Sequence, residues 1–320
     1  MPIRFIRDFE FRYETPEMVA PAITRVVARN PKDYTWIGTN TWIVGDDRLA
    51  IIDPGPAQSE HVEAVLEAIA GRPVVGIFIT HSHNDHAPAA LPLAKATGAT
   101  IFGHSPLDPM IADLTDEDID LSVVPDCRLG DRARLEIEEG LLIEAVHTPG
   151  HFPNHLCYLL HDLRRSHEGG VSRRMLFSGD HVMGWATTVI APPLGNLEHY
   201  LDSLLRLQRL PVTRYLPSHG PEIPDGPDYV RQLIAHRRFR ESQIVECLER
   251  GVRDPAEMVA RMYEGLSPRL EKAAALSVQA HLDFLAARGL LTREGVPTLS
   301  ARRIAESWPY NELESSSGGR

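Results

Sequence analysis

The heptapeptide THSHNDH, residues 80–86, follows directly on the apolar run VVGIFIT. Such a run reads as a buried strand. His81, His83, Asp85 and His86 are therefore delivered together at a strand end. His81 and His83, two apart on extended backbone, point the same way, and a turn at Asn84 brings Asp85 and His86 beside them. Imidazoles and a carboxylate gathered this tightly are metal-ligand chemistry, and four such groups can serve two ions. Three further candidates each follow an apolar run: His151 in HTPGH, Asp180 in LFSGDH and His219 in YLPSHG. Sites assemble at strand ends in open α/β layers, so loops carrying His or Asp at one edge support one another. The fold must then be one whose strand ends meet on a common edge.

The remaining pattern predicts a layered α/β domain. ITRVVARN, YTWIGTNTWIVG and DRLAIIDPG read as strands joined by tight turns. HVEAVLEAIAG predicts a helix closed by Gly71, a second helix falls at 87–97, and ATIFG, GLLIEAVHT, HLCYLL and RMLFSG predict strands. Acidic ADLTDEDIDLSVV predicts a solvated loop or short helix, and LRRSHEGGVSRR a long hairpin loop within reach of a substrate. From Pro227 the periodicity becomes helical. Asp254 and Pro255 open DPAEMVARMYEG, a third helix EKAAALSVQAHLDFLAARG ends at Gly289, and GLLTREGVPTLS gives a small hairpin. The expected organisation is a catalytic domain at 1–227, a winged-helix-like helical domain at 228–310 and a disordered tail at 311–320.

Composition narrows the classes of function. The 320 residues, 43 % hydrophobic and 24 % charged, describe a globular chain. No run approaches the roughly 20 apolar residues of a membrane span, and the charged opening MPIRFIRDFEFRYE is unlike a signal peptide. A cytoplasmic chain without a membrane partner is expected. Cys127, Cys157 and Cys247 are too few and scattered for a disulfide framework or a four-thiolate site. A net charge of −11 argues against wrapping nucleic acid over the whole surface, although residues 230–303 carry 13 basic against 9 acidic side chains.

The HxHxDH segment followed by a distant His, Asp and His resembles the metallo-β-lactamase fold superfamily over roughly residues 15–225, and TNTWIVG with AIIDPG resembles its opening strands. The resemblance implies an αββα sandwich with a dinuclear site. His81, His83 and His151 would hold the first metal, Asp85, His86 and His219 the second, with Asp180 bridging. LFSGDHVMGWATTVI, NLEHYLDSLLRL, YLPSHGPEI and IAHRRFRESQI before a winged helix resemble the β-lactamase-like protein 2 group. Its characterised members include an endoribonuclease acting on single-stranded RNA and fungal thioesterases that release polyketides. His181 after the bridging aspartate, and SHG in place of the commoner GHG, depart from the pattern without removing a ligand.

The implied reaction is hydrolysis by a metal-bridging hydroxide, since bound cations lower the pKa of water to about 7 and polarise the scissile oxygen. Asp85 is the candidate proton acceptor and His181 the candidate substrate contact. A histidine-rich dinuclear site suits two zinc ions, with manganese and iron as open alternatives. Asp53 is a candidate acceptor for a ligand's ring N–H, while His104, His147 and His155 read as structural hydrogen-bonders. Trp185, Thr187 and Thr188 read equally as pocket or loop residues. Arg237, Arg238 and Arg240 read as a solvated face or as an RNA phosphate contact, although no aromatic stacking platform is visible. The expected function is a phosphodiesterase on single-stranded RNA. The alternatives are a thioesterase, lactonase or other small acyl-ester hydrolase, and a nucleic-acid-binding regulator with a scaffold hydrolase domain, which an intact ligand set disfavours. The C-terminal unit could bind nucleic acid, cover the site or form a homodimer contact.

Overall fold

The computed structural model describes residues 3–115, 117–164, 173–263 and 265–310. Most of the LRRSHEGGVSRR loop and the whole of 311–320 lie outside the described residues. Strands β1 (Glu17–Ala20), β2 (Ile23–Val27), β3 (Asn40–Val44) and β4 (Leu49–Ile52) form an antiparallel meander. Helix α1 (Ser59–Ile69) then crosses to β5 (Val74–Phe78), which pairs parallel with β4. Helix α2 (Ala90–Thr97) leads to β6 (Ile101–Gly103), and after the short α3 (Pro109–Ala112) strand β7 (Cys127–Arg128) completes a seven-stranded sheet in sequence order. The second sheet joins β8 (Arg134–Glu138), β9 (Leu141–His147), β10 (Leu156–Asp162) and β11 (Arg173–Gly179) antiparallel. After α4 (Leu197–Gln208), β12 (Arg214–Pro217) pairs parallel with β11.

The two sheets bury a common core of Trp42, Val44, Ile52 and Phe78 from one and Ile143, Tyr158, Phe177 and Leu216 from the other. Val65, Ile69 and Leu93 of α1 and α2 cover the outside of the first sheet. Tyr200, Leu201 and Leu204 of α4 cover the second. The layers are therefore αββα. Strands with neighbours on both faces read as unbroken apolar runs, and all five residues of β3 are buried. β8 escapes that criterion because it lies at the sheet edge, with only Ile137 fully buried.

Two boundaries differ from expectation. The strand expected from Tyr34 begins only at Asn40, because residues 33–37 turn, with Trp36 left-handed at φ 53°. At Gly38 a Cβ would stand 2.0 Å from the carbonyl of Ala28, so only glycine fits there. α1 closes through Ala70 at φ 51°, one residue before the expected Gly71.

Helices α5 (Gly226–Glu249), α6 (Pro255–Met262), α7 (Pro268–Ala287) and α8 (Ala301–Glu306) complete the chain. The Asp254 side chain caps α6 by accepting from the Glu257 N–H at 2.9 Å. A bridge between Leu291 and Pro297 forms the small hairpin. α5 serves two cores. Its Tyr229, Val230, Leu233 and Ile234 pack with α4 on the second sheet, while Ile244, Val245 and Leu248 pack with Met258, Val278 and Ile304 of the C-terminal unit. Among the described residues, no helix is long and apolar enough to cross a membrane.

Candidate metal centre

The topology brings five strand ends to one edge. Asp53 follows β4, the 80–86 segment follows β5, His151 lies past β9, Asp180 follows β11, and His219 lies past β12. The seven residues singled out as ligands meet there in three overlapping groups: His81 with His83 and His151, His81 with His86 and Asp180, and Asp85 with His86 and His219. Within each group the ligand atoms lie within 4.8 Å of one another. Asp180 stands between the others, its carboxylate 3.4 Å from His86 Nε2, 3.4 Å from His219 Nε2 and 3.9 Å from His151 Nε2. Asp85 Oδ2 is 3.1 Å from His219 Nε2.

The outer nitrogen of each ring is held by the scaffold. His86 Nδ1 meets Asp53 Oδ2 at 2.9 Å, His151 Nδ1 donates to the Val189 carbonyl at 2.8 Å, and His219 Nδ1 donates to the Gly38 carbonyl at 3.0 Å. A carbonyl only accepts, so His151 and His219 carry a proton on Nδ1, and the Nε2 atoms of all three rings face inward. Those inward atoms, His86 Nε2, His151 Nε2 and His219 Nε2, are buried and, with Asp180 Oδ1, make no hydrogen bond of acceptable geometry. Buried polar atoms left this way are rare unless something else binds them. The donor set fits a pair of cations.

The electrostatics agree. Burial raises the Asp180 carboxyl, but His219 and His86 outweigh it and hold the group well below the usual range. Burial lowers His219, and the Asp180 and Asp85 carboxylates override this, lifting it to about 10. Across the site, burial and the neighbouring His86 and His83 push His81 down. The carboxylates thus draw positive charge toward His86 and His219, while burial disfavours it on His81 and His151.

The family model of the Metallo-beta-lactamase superfamily matches residues 34–219, more than half of the chain. The chain belongs to this superfamily. A second model, the Beta-lactamase associated winged helix domain, matches residues 255–298. The chain is 27 % identical over 281 residues to the Beta-lactamase-like protein 2 homolog of Caenorhabditis elegans, spanning 82 % of this chain and 83 % of the relative. It is 28 % identical over 237 residues to the Atrochrysone carboxyl ACP thioesterase AgnL7 of Paecilomyces divaricatus, spanning 73 % and 67 %. A beta-lactamase domain protein from Burkholderia ambifaria shares the fold, with a TM-score of 0.71 at 24 % identity, over 90 % of this chain and 94 % of that one.

This metallo-beta-lactamase superfamily hydrolase corrects several expectations. His181, expected to contact substrate, has a fully buried ring, 4.6 Å from that of Tyr200 and 5.6 Å from that of His155. Burial, with His151 and Arg237 adding to it, pushes its pKa down to about 3. The acidic excursion is more than a solvated loop, since Glu117 Oε2 meets His83 Nε2 at 2.8 Å and the Asp120 N–H donates to Ser82. Nor do two of the three arginines, Arg237 and Arg240, form an open phosphate face. Arg237 is buried against the Thr188 carbonyl, and Arg240 lies 3.9 Å over the Tyr263 ring while donating to Gln243. An aromatic pair does exist, with Trp36 and Trp185 stacked at 5.5 Å beside Gly220, next to His219.

Asp53 accepts from Thr80 and Ser218 as well as facing His86, so it braces the 80–86 segment and the loop after β12 at once. His155 accepts from the Asp180 N–H at 3.3 Å, His147 donates to Pro153, and His104 stacks on His147. Thr188 is buried and its hydroxyl bonds the Asp180 carbonyl, whereas Thr187 is half-buried. Glu117 and the Val189 and Gly38 carbonyls are functional partners that no local pattern announces; the acidic run alone hinted at Glu117.

Proposed function

We propose that this chain is a dinuclear metal hydrolase acting on small acyl compounds, thioesters first. The observation that carries the reading is convergence: three inward Nε2 atoms and Asp180 Oδ1 face one another, buried and without hydrogen bonds. His81, His83 and His151 would hold one ion and Asp85, His86 and His219 the other, with Asp180 between them. Two divalent cations, zinc first by the donor set, would lower the pKa of water and polarise the scissile oxygen there. The chain's own part is orientation and proton handling. Asp53, Val189 and Gly38 fix the rings. Asp85 is the more exposed carboxylate, 25 % against 10 % for the Asp180 side chain; its Oδ2 faces His219 and His86, so its other oxygen would be the one to accept a proton from an attacking water.

Two features favour an acyl substrate. Arg237 is buried and Arg240 half-buried, and both are bonded within the protein, which leaves fewer arginines of this cluster to meet an RNA backbone. A relative over much of the chain bears a thioesterase name. Single-stranded RNA is the second reading, favoured by the Trp36–Trp185 pair, on which a base could stack. We read the compartment as cytoplasmic, where the three free thiols would stay reduced.

The test assays zinc-loaded protein for thiol release from acyl thioesters and for cleavage of labelled single-stranded RNA, with Asp180→Ala as control. Thiol release that disappears in the variant supports the proposal. RNA cleavage without thiol release overturns the substrate class. Undiminished hydrolysis by a variant that has lost its metal overturns the whole scheme.

A further inference from the structure

We propose that Arg237 is a positioning residue for the metal centre, acting through residues 188 and 189, which orient Asp180 and His151. The inference rests on the reading of those two residues as metal ligands. Arg237 lies on α5, between the half packed on the second sheet and the half built into the C-terminal unit. Its side chain is 4 % exposed. Nη2 donates to the Thr188 carbonyl, and the guanidinium carbon stands 5.1 Å from the centroid of the Tyr200 ring. Among the described residues no carboxylate pairs with it, and Nε has no partner. A buried cation without a counter-charge is costly, and packing alone does not account for it.

The contacts continue inward from there. The Thr188 hydroxyl lies 2.7 Å from the carbonyl oxygen of Asp180 and 3.1 Å from that of His181. The next carbonyl, Val189, accepts from His151 Nδ1 at 2.8 Å. Residues 187–191 belong to no helix or strand, so no periodic ladder holds these carbonyls in place. The Arg237 fork supplies that hold. Without it, the Thr188–Val189 peptide is free to rotate, and the two ligands lose their outer partners together. The helix that carries the C-terminal unit is thereby tied to the catalytic edge.

The test uses the full chain loaded with cobalt(II), whose visible absorption reports ligand geometry, and a chelator titration that measures metal retention. Arg237→Lys keeps the charge but not the planar fork, Arg237→Met removes both, and Thr188→Val removes the hydroxyl while keeping the carbonyl. Arg231→Met, exposed on the same helix, is the control. The chelator concentration that strips half the metal is expected to fall about tenfold in the Arg237 and Thr188 variants, with a changed cobalt band, and to stay unchanged in the control. Variants that melt lower yet hold cobalt at the wild-type chelator concentration, with a superimposable spectrum, would reduce Arg237 to a structural contact and overturn the proposal. Should Arg237→Met not fold, Arg237→Lys and Thr188→Val decide the matter in the same way. Wild-type protein that takes up no cobalt would fail at an earlier point, refuting the metal reading itself and this inference with it.

Discussion

Glu117 Oε2 lies 2.8 Å from His83 Nε2, so an acidic loop supplies the outer partner of a histidine in the strand-end motif. The bond turns His83 to present Nδ1, which lies 2.8 Å from His81 Nε2. Glu117→Gln keeps the shape but not the charge. Retention of the ion at His81, His83 and His151 should weaken about tenfold, read by zinc competition with a chelating dye. Unchanged retention would reduce Glu117 to a surface contact.

Asp53 is fully buried and accepts from the Thr80 N–H, the Thr80 hydroxyl and the Ser218 hydroxyl while facing His86. Asp53→Ala strands all of these donors at once. A loss of at least about 2–3 kcal/mol in urea unfolding is expected, since each buried unsatisfied polar group costs about 1–3 kcal/mol. Metal content measured on the folded fraction should fall with it.

Bound metal should stabilise the fold. An ion that binds only the native state adds about 4 kcal/mol at a thousand times its dissociation constant. Chelation should therefore lower the melting temperature by several degrees, and added zinc should restore it. Asp180→Ala should show a much smaller response. A melting curve indifferent to both treatments would contradict the metal reading.

Glu241 on α5 has its carboxyl raised to about 7, by burial first, against a partial offset from Arg288 at 3.5 Å. The folded chain then holds this proton, and the unfolded chain releases it, between about pH 4.5 and 7. Stability should fall as pH rises through that window, by on the order of 3 kcal/mol from this group. Urea midpoints at pH 5 and pH 8 for wild type and Glu241→Gln measure it. The difference between the two proteins should shift with pH in favour of the variant at pH 8.

The residues that meet at this edge were legible because each sits beside a strand end that its own apolar run marks. Their neighbours were not. Val189 and Gly38 act through backbone carbonyls, which carry no side-chain signature, and Glu117 reaches His83 across 34 residues of chain. The placement of His181 was hidden for the opposite reason. It adjoins Asp180 in sequence, but the turn after Gly179 sends one side chain to the metal edge and the next behind it toward Tyr200. The layered α/β class followed from the strand and helix pattern, and the αββα order from the resemblance to the superfamily. The arginines of α5 read as a charged face because helical periodicity locates a stripe and does not say what covers it.

The helix shared by two cores bears on how this chain can be divided. The expected boundary at 227/228 falls in the first turn of α5, so a fragment stopping there loses Tyr229, Val230, Leu233 and Ile234 from the flank of the second sheet. That flank would face water as a continuous greasy strip, and such a fragment should precipitate or associate with itself.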